Sequence, residues 1–378
     1  MIYTILKKAG YKVAMETTIG TYIENRFYPM EEARSHEYRY YDEMAKSGVQ
    51  FLILEITSLA LLRGLHKRHH FDACVYTNLS ADHVGKYGHP TFDDYAECKS
   101  RLFQSCGRAV INGDDPRICS DVRKVAENIE TFGLSDSCDL YAKTIEQTDR
   151  FGVRFRTGGA LEAEFEMPYS GAFSVYNALA AISVCRHYGV GSGIMREALS
   201  DFHLKGRMEE VPFAEGIHVF VDYAHNGESL EKVLTTLKGY QPKRLISVFG
   251  CGGEKPTIRR TKMGIASGEL ADLTVITSDN PRGEDPMKII GDIEKAISET
   301  NGKYRIVPDR TEAIESVLAS AERGDIILIA GKGHEQYQKV CADRIKTDDR
   351  SVVENYVRDH MSTDCVPDVG YTNDQFQL

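Results

Sequence analysis

No stretch of the 378-residue sequence approaches the roughly 18 consecutive apolar residues that a membrane-spanning helix needs. The opening residues, MIYTILKKAGYKV, lack the charged start, apolar centre and small-residue cleavage site of a secretory signal. Nine cysteines include no C-x-x-C pair, so reduced thiols in a cytoplasmic protein are the expectation. Positive charge is also in short supply. Lys and Arg number 46 against 56 Asp and Glu, a formal charge of -10, which argues against a general polyanion-binding surface. Neither a nucleic acid nor a membrane is therefore expected as a partner, and any phosphate must be held locally. No G-x-x-x-x-G-K-[ST] occurs, and no repeat of fixed period is found.

What is present is the composition of a globular protein, 42% hydrophobic and 27% charged, in a chain long enough for two α/β-sized domains. Short β-branched runs alternate with helical patterns: FLILEI (51–56), ACVYT (73–77), RAVIN (108–112), HVFVD (218–222), RLISVFG (244–250), LTVIT (273–277) and DIILIA (325–330). Such alternation predicts parallel sheets covered by helices. Between 140 and 167 the pattern turns to two-sided strands, YAKTIEQ, GVRFRT and LEAEFEM, which predicts a small antiparallel insertion. The charged segment HLKGRMEEVP, bracketed by Gly and Pro, marks a boundary. The expected domains are 1–207 and 208–360, with a loose tail at 361–378.

Polar residues collect where these strands end. Glu55 closes FLILEI, where open α/β sheets place ligands, although a carboxylate there also suits a cap for the next helix. ACVYT runs into Thr77, Asn78, Asp82 and His83, and a carboxylate with an imidazole at adjacent strand ends can share a divalent cation. Lys99, on the apparent helix FDDYAECKSRLF, reads by itself as a solvated helix-face lysine. VDYAHN sets Asp222 and His225 at a further strand end, and GCGGEKP supplies glycines for close approach of backbone to an anion or simply for a tight turn. In DNPRGEDP and GKGHEQYQ, Arg282 offers a fork for a carboxylate and Glu335 a partner for an ammonium group, a pairing suited to an amino acid; a structural ion pair is the competing account.

In this order, EITSLAL, TNLSADHVGKYGHPTFDDYAECKSRLF, VYNALAA, LKGRMEE, VDYAHN, GCGGEKPTIRRTKMG, DNPRGEDP and GKGHEQYQ closely resemble the Mur ligase family, from residue 1 to about residue 358. The resemblance is nearest to the branch that adds the third residue of the peptidoglycan stem to a UDP-N-acetylmuramoyl dipeptide. It implies an α/β chain: a central ATPase-like domain, mainly parallel with the antiparallel insertion, then a Rossmann-like ligase domain. It also implies ATP and magnesium, an acyl phosphate, and attack on it by an amine. By resemblance Glu55 and His83 hold the metal and Lys99, as a carbamate, supplies further anionic oxygens. Asn177, Arg207, Asp222 and His225 fall to the nucleotide. Arg260, Asn280, Arg282, Gly331 and Glu335 fall to the incoming amino acid, which D-N-P-R marks as meso-diaminopimelate rather than lysine. The small-molecule partners are thus a nucleotide-linked muramoyl peptide and an amino acid, with the oligomeric state left open.

Three departures from the family pattern stand out. Its phosphate loop would lie immediately before MIYTILKKAGYKV, as would the domain that binds the uridine nucleotide in longer members. In MEEARSHEYRYYDEM only Ser35 corresponds to the family's turn for the muramoyl substrate; Leu59 stands for a histidine and Ser174 for an asparagine. The alternatives are therefore a divergent amide ligase of folylpolyglutamate type, acting on a carboxylate without the nucleotide, and a silent binding homologue or fragment. The expectation for the chain as given is weak ATP binding, with turnover at least about 100-fold below that of a form carrying the loop, because each donor to a transferring phosphoryl group is worth two to three orders of magnitude. Phosphate release from the two forms side by side measures this, and equal rates would refute it.

Overall fold

Apolar runs separated by polar helix caps fold here into two units, Met1–Phe202 and His203–Leu378, in a computed structural model that describes residues 1–29, 37–64, 67, 69–79 and 89–361. The first unit begins with helix α1 (Ile2–Lys8) and strands β1 (Val13–Glu16), β2 (Gly20–Ile23) and β3 (Arg26–Pro29). Helix α2 (Glu37–Ser47), β4 (Phe51–Leu54) and α3 (Ser58–Leu62) follow. A four-stranded sheet runs β3-β2-β1-β4, antiparallel except where β4 lies parallel to β1. The β1–β3 meander was not legible as strands, because its exposed β3 and polar turns carry no buried alternation.

A second sheet takes β5 (Phe71–Tyr76), β6 (Cys106–Asn112), β7 (Ile129–Gly133), β8 (Leu140–Gln147), β9 (Val153–Gly159) and β10 (Glu164–Met167) in the order β10-β9-β8-β7-β6-β5. Strands β5 to β8 are parallel and β8 to β10 antiparallel, so the antiparallel strands extend this sheet. Helix α4 (Phe92–Ser100) starts at a reciprocal cap, Thr91 with Asp94, and α5 (Pro116–Arg123) at Asp115 with proline in its first turn. Helices α6 (Ala172–His187) and α7 (Ser192–Ser200) complete the unit; α6 buries residues all round, as a helix packed on several sides must.

In the second unit β11 (Glu209–Val211), β12 (His218–Asp222), β13 (Arg244–Phe249), β14 (Leu273–Ile276), β15 (Tyr304–Ile306) and β16 (Asp325–Ala330) form one sheet, ordered β11-β12-β16-β13-β14-β15. All its strands but β11 are parallel. Strand β16 is buried at every residue, which is why DIILIA reads as an unbroken apolar run. Helices α8 (Gly227–Lys238), α9 (Ile258–Leu270) and α10 (Pro286–Ile297) pack side by side. A Cβ on Gly264 of α9 would meet Ala296 of α10 at 2.9 Å. Helices α11 (Arg310–Leu318) and α12 (Asp349–His360) bury Ile314, Val317 and Val353 against Val219, Ile246 and Ile327 of the sheet. A hairpin, β17 (Tyr337–Val340) with β18 (Asp343–Lys346), precedes α12. No helix among the described residues is long and apolar enough to cross a membrane.

The first residue of α11 fastens this arrangement. Arg310 binds Asp349 through two bonds of 2.7 and 2.8 Å, both side chains at 0% exposure, and also donates to the carbonyls of Ala330 and Ser278. Removing one member of such a pair leaves the other charge buried and unmatched. Asp349→Ala is expected to cost about 3–5 kcal/mol, whereas replacing both residues by apolar ones of similar volume should cost far less. Urea unfolding of the single and double variants measures the difference; equal losses would contradict this account.

Candidate functional site

In the first unit Glu55 stands at the end of a strand and Lys99 on helix α4. Glu55 follows β4, where its backbone N–H donates to Glu16 and its carboxylate accepts from the Thr18 N–H at 3.0 Å and from the Thr18 hydroxyl. It does not cap α3; Thr57 does that, accepting from Ala60 N–H. Strands β4 and β5, read from sequence as neighbours, pair instead in different sheets, β4 with β1 and β5 with β6. Helix α4 still lies against the turn after Glu55, since Cys98 Sγ donates to the Ser58 carbonyl at 3.5 Å. His83, with Asp82 and Ser35, lies outside the described residues.

Lys99 is not a solvated helix-face lysine. Its Nζ sits 5.3 Å from the Tyr76 ring and 5.2 Å from the Tyr95 ring, and burial lowers its pKa. No ion pair to it forms among the described residues. A lysine favoured toward the neutral amine is one whose nitrogen lone pair can add carbon dioxide. Asn177 is exposed on α6, and its neighbour Tyr176 donates to Asp114 Oδ2 at 2.7 Å. Asp114 also accepts from Leu134 and Ser135 N–H, so it ties the loops after β6 and β7 to the first turns of α6. No group of three or more His, Cys, Asp or Glu residues able to hold a metal is formed among the described residues.

In the second unit parallel pairing brings the ends of β12, β13, β14 and β16 to one edge of the sheet, where β16 separates β12 from β13. Such a reversal of strand order is where open α/β sheets form a crevice. Asp222 is buried there, its carboxyl raised above its usual range by desolvation, and it accepts from Met208 and Ala224 N–H at 2.7 Å each. Tyr223 is a platform that sequence reading missed, although an aromatic between Asp222 and His225 was its signal. Arg207 stacks 4.6 Å from its ring centre, and the rings of His225 and His334 lie at 4.8 and 5.2 Å. His225 Nδ1 is 2.9 Å from the Tyr223 carbonyl, which can only accept. A Cβ on Gly333 would meet the Gly206 carbonyl at 2.6 Å, so glycine is what lets these two loops touch.

Asn280, Arg282, Gly331 and Glu335 come together at the same edge. Asn280 Nδ2 donates to Glu335 Oε2 at 2.7 Å and to Asp279 Oδ1 at 2.9 Å, while its Oδ1 accepts from Lys339 N–H at 2.8 Å. Glu254, Asn280 and Arg282 hold left-handed backbone angles of 57°, 44° and 54°, uncommon away from glycine. The hairpin offsets that strain: Arg282 N–H donates to Lys339, and Cys341 N–H to Arg282. A side chain at Gly331 would collide with Asp279 Oδ2. Arg282 donates to the Gly253 carbonyl and forms no ion pair among the described residues. The competing structural ion pair is therefore absent among the described residues: of the two carboxylates that follow Arg282 on its loop, Glu284 is taken by Arg260 and Asp285 caps α10. Arg260 is itself buried, bound to Glu284 and Asp292 at 2.8 Å each. Its guanidinium is already engaged from within the protein.

Such an edge carries a guanidinium that has no carboxylate partner among the described residues and a carboxylate that accepts from the Asn280 amide, groups of the kind that the charged head of an α-amino acid takes. Residues 1–185 match the Mur ligase middle domain, and residues 206–333 the domain described as Mur ligase, glutamate ligase domain. Over 358 residues the chain is 36% identical to the UDP-N-acetylmuramoyl-L-alanyl-D-glutamate--2,6-diaminopimelate ligase of Caldanaerobacter subterraneus subsp. tengcongensis, covering 93% of this chain and 74% of that protein. A solved structure of a ligase of the same name superposes with a TM-score of 0.66 at 31% identity, over 96% of this chain and 76% of that one. A folylpolyglutamate synthase from Mycobacterium tuberculosis, at 17% identity and a TM-score of 0.67 over 87% of this chain and 84% of that one, shares the fold.

Asp279 behind this edge is fully desolvated, which pushes its carboxyl up to about 6 against the pull of Arg310 and Lys332. In the unfolded chain an aspartate loses its proton near 4, so between about pH 4 and 6 the folded state binds more protons. The stabilisation linked to this group is present below about pH 4 and lost as pH rises through about 6. Asp279→Asn should therefore gain stability relative to the parent over that window, by about 3 kcal/mol for a two-unit shift. A carboxyl ¹³C titration of Asp279 with its midpoint near 4 would rule this out.

Proposed function

We propose, for a chain that belongs to the Mur ligase family, that it joins the carboxylate of a UDP-N-acetylmuramoyl dipeptide to an amine of meso-diaminopimelate, at the expense of ATP, in cytoplasmic peptidoglycan-precursor synthesis. The substrate carboxylate takes the γ-phosphoryl group and ADP leaves; the amine then attacks the acyl carbon, phosphate departs, and the amide nitrogen loses a proton. Magnesium, when bound, neutralises charge on the phosphate oxygens. Glu55, His83 and Lys99 are the residues that would hold it. Addition of carbon dioxide to the neutral Lys99 amine forms an N–C bond and releases one proton, leaving an oxygen anion of the kind a hard cation takes. The burial of Lys99 supports that reading, because desolvation favours the neutral amine. Asn177 of the first unit and Arg207, Asp222 and His225 of the second are assigned to the nucleotide, and within the second unit the Tyr223 ring gives Arg207 and His225 an aromatic neighbour.

The observation that carries the choice of amino acid is Arg282, half-buried and without a carboxylate partner among the described residues, on the loop joined to Glu335 through Asn280. The far end of meso-diaminopimelate presents a carboxylate and an ammonium, whereas lysine presents an ammonium alone and would leave the guanidinium desolvated and unmatched. Discrimination on the order of 1000-fold follows from the cost of that unmet group. Phosphate release with the muramoyl dipeptide, ATP and either amino acid tests the proposal. Arg282→Ala should raise the KM for meso-diaminopimelate about 100-fold with the KM for ATP nearly unchanged, and Lys99→Ala should abolish turnover. Equal rates with lysine, or full activity of the Lys99 variant, would overturn it.

A further inference from the structure

We infer that Lys332 is a positioning residue that sets the Glu335 carboxylate for the incoming amino acid, an inference resting on the reading that Glu335 takes that substrate's ammonium group. Lysine is almost never buried without a charge-bearing reason, because its ammonium gives up hydration that must be replaced. Lys332 has 0% of its side chain exposed. Its Nζ donates to the Tyr337 carbonyl at 2.7 Å and stands 3.9 Å from Glu335 Oε2. Glu335 N–H in turn donates to the Lys332 carbonyl at 2.9 Å. The side chain thus closes from within the turn that carries Glu335, holding both its middle and its far end.

Charge balance gives the ammonium a second task. Three carboxylates, Asp279, Asp349 and Glu335, converge on this loop. Arg310 is committed to Asp349 by two bonds, and Arg207 is stacked on Tyr223. Lys332 is the cation that stands within ion-pair distance of Glu335 among the described residues, and the Glu335 side chain is still 34% exposed. Burial and the neighbouring Arg310 lower the pKa of Lys332, while Asp279, Asp349 and Glu335 oppose that fall. With Asn280 donating to Oε2 and the ammonium behind it, the carboxylate is held in one orientation.

The test is a double-mutant cycle in the full chain with Lys332→Met, Glu335→Gln and their combination, following meso-diaminopimelate by steady-state kinetics and by calorimetric binding. If Lys332 acts through Glu335, Lys332→Met raises the KM for the amino acid about tenfold or more, leaves kcat and the KM for ATP within about threefold, and adds nothing to Glu335→Gln. Additive losses, a parallel rise in the KM for ATP, or an unmoved amino-acid KM would overturn the inference. Lys332→Gln, which removes the charge and keeps an N–H donor on a side chain one atom shorter, carries the cycle if the methionine variant does not fold. Should the parent protein bind no meso-diaminopimelate, the proposed function fails. A crystal structure of Lys332→Gln then decides the positioning role alone: a Glu335 carboxylate released from Asn280 supports it, and one left in place refutes it.

Discussion

The ion pair of Arg310 with Asp349 is the constraint on which the second unit's loops depend. It lies where four elements meet: the first turns of α11 and α12, the end of β16 through the Ala330 carbonyl, and the segment after β14 through Ser278. A pair so desolvated contributes little as a mere attraction, since the cost of dehydration offsets most of the Coulomb gain. Its value is geometric. The guanidinium is rigid and planar, and every one of its bonds names a position that the backbone must occupy.

Around that fixed point the site loops are held in conformations that their own residues disfavour. Asn280 and Arg282 keep left-handed backbones because strand β17 supplies partners for both, and Gly331 and Gly333 allow approaches that any Cβ would block. Strain of this kind persists only where surrounding contacts over-determine it. In the first unit the counterpart is not strain but enclosure, with Lys99 between two tyrosine rings and Asp114 gathering two loops against α6.

Much of this was legible in the chain, because strands buried on both faces leave continuous apolar runs and because Asp, Asn and Thr caps mark where helices begin. HVFVD and DIILIA coincide with their strands, and the caps at Asn226 and Asp285 fall directly after loops that carry candidate residues. The residues Asn280, Arg282, Gly331 and Glu335 were readable as a group through the motif resemblance. Three things were not. In the β1–β3 meander β2 is buried throughout while β3 is largely exposed, so no common period announces it. The placement of β4 and β5 in different sheets is a matter of pairing, which local sequence does not encode. Arg260 was read by resemblance as a contact to the incoming amino acid and Lys332 carried no signal; only packing reveals that the first is bound to Glu284 and Asp292 and that the second is wholly enclosed.

The tie between Asn280 and Lys339 spans 59 residues. A contact so distant along the chain sets an order of events during synthesis. Strands β13 and β14 and helices α9 and α10 can assemble from what has already emerged, but the Asn280–Arg282 loop has no template until the β17 hairpin arrives. The Asn280–Arg282 corner of this unit therefore takes shape only once the hairpin is in place, and it loses its template when the hairpin lets go.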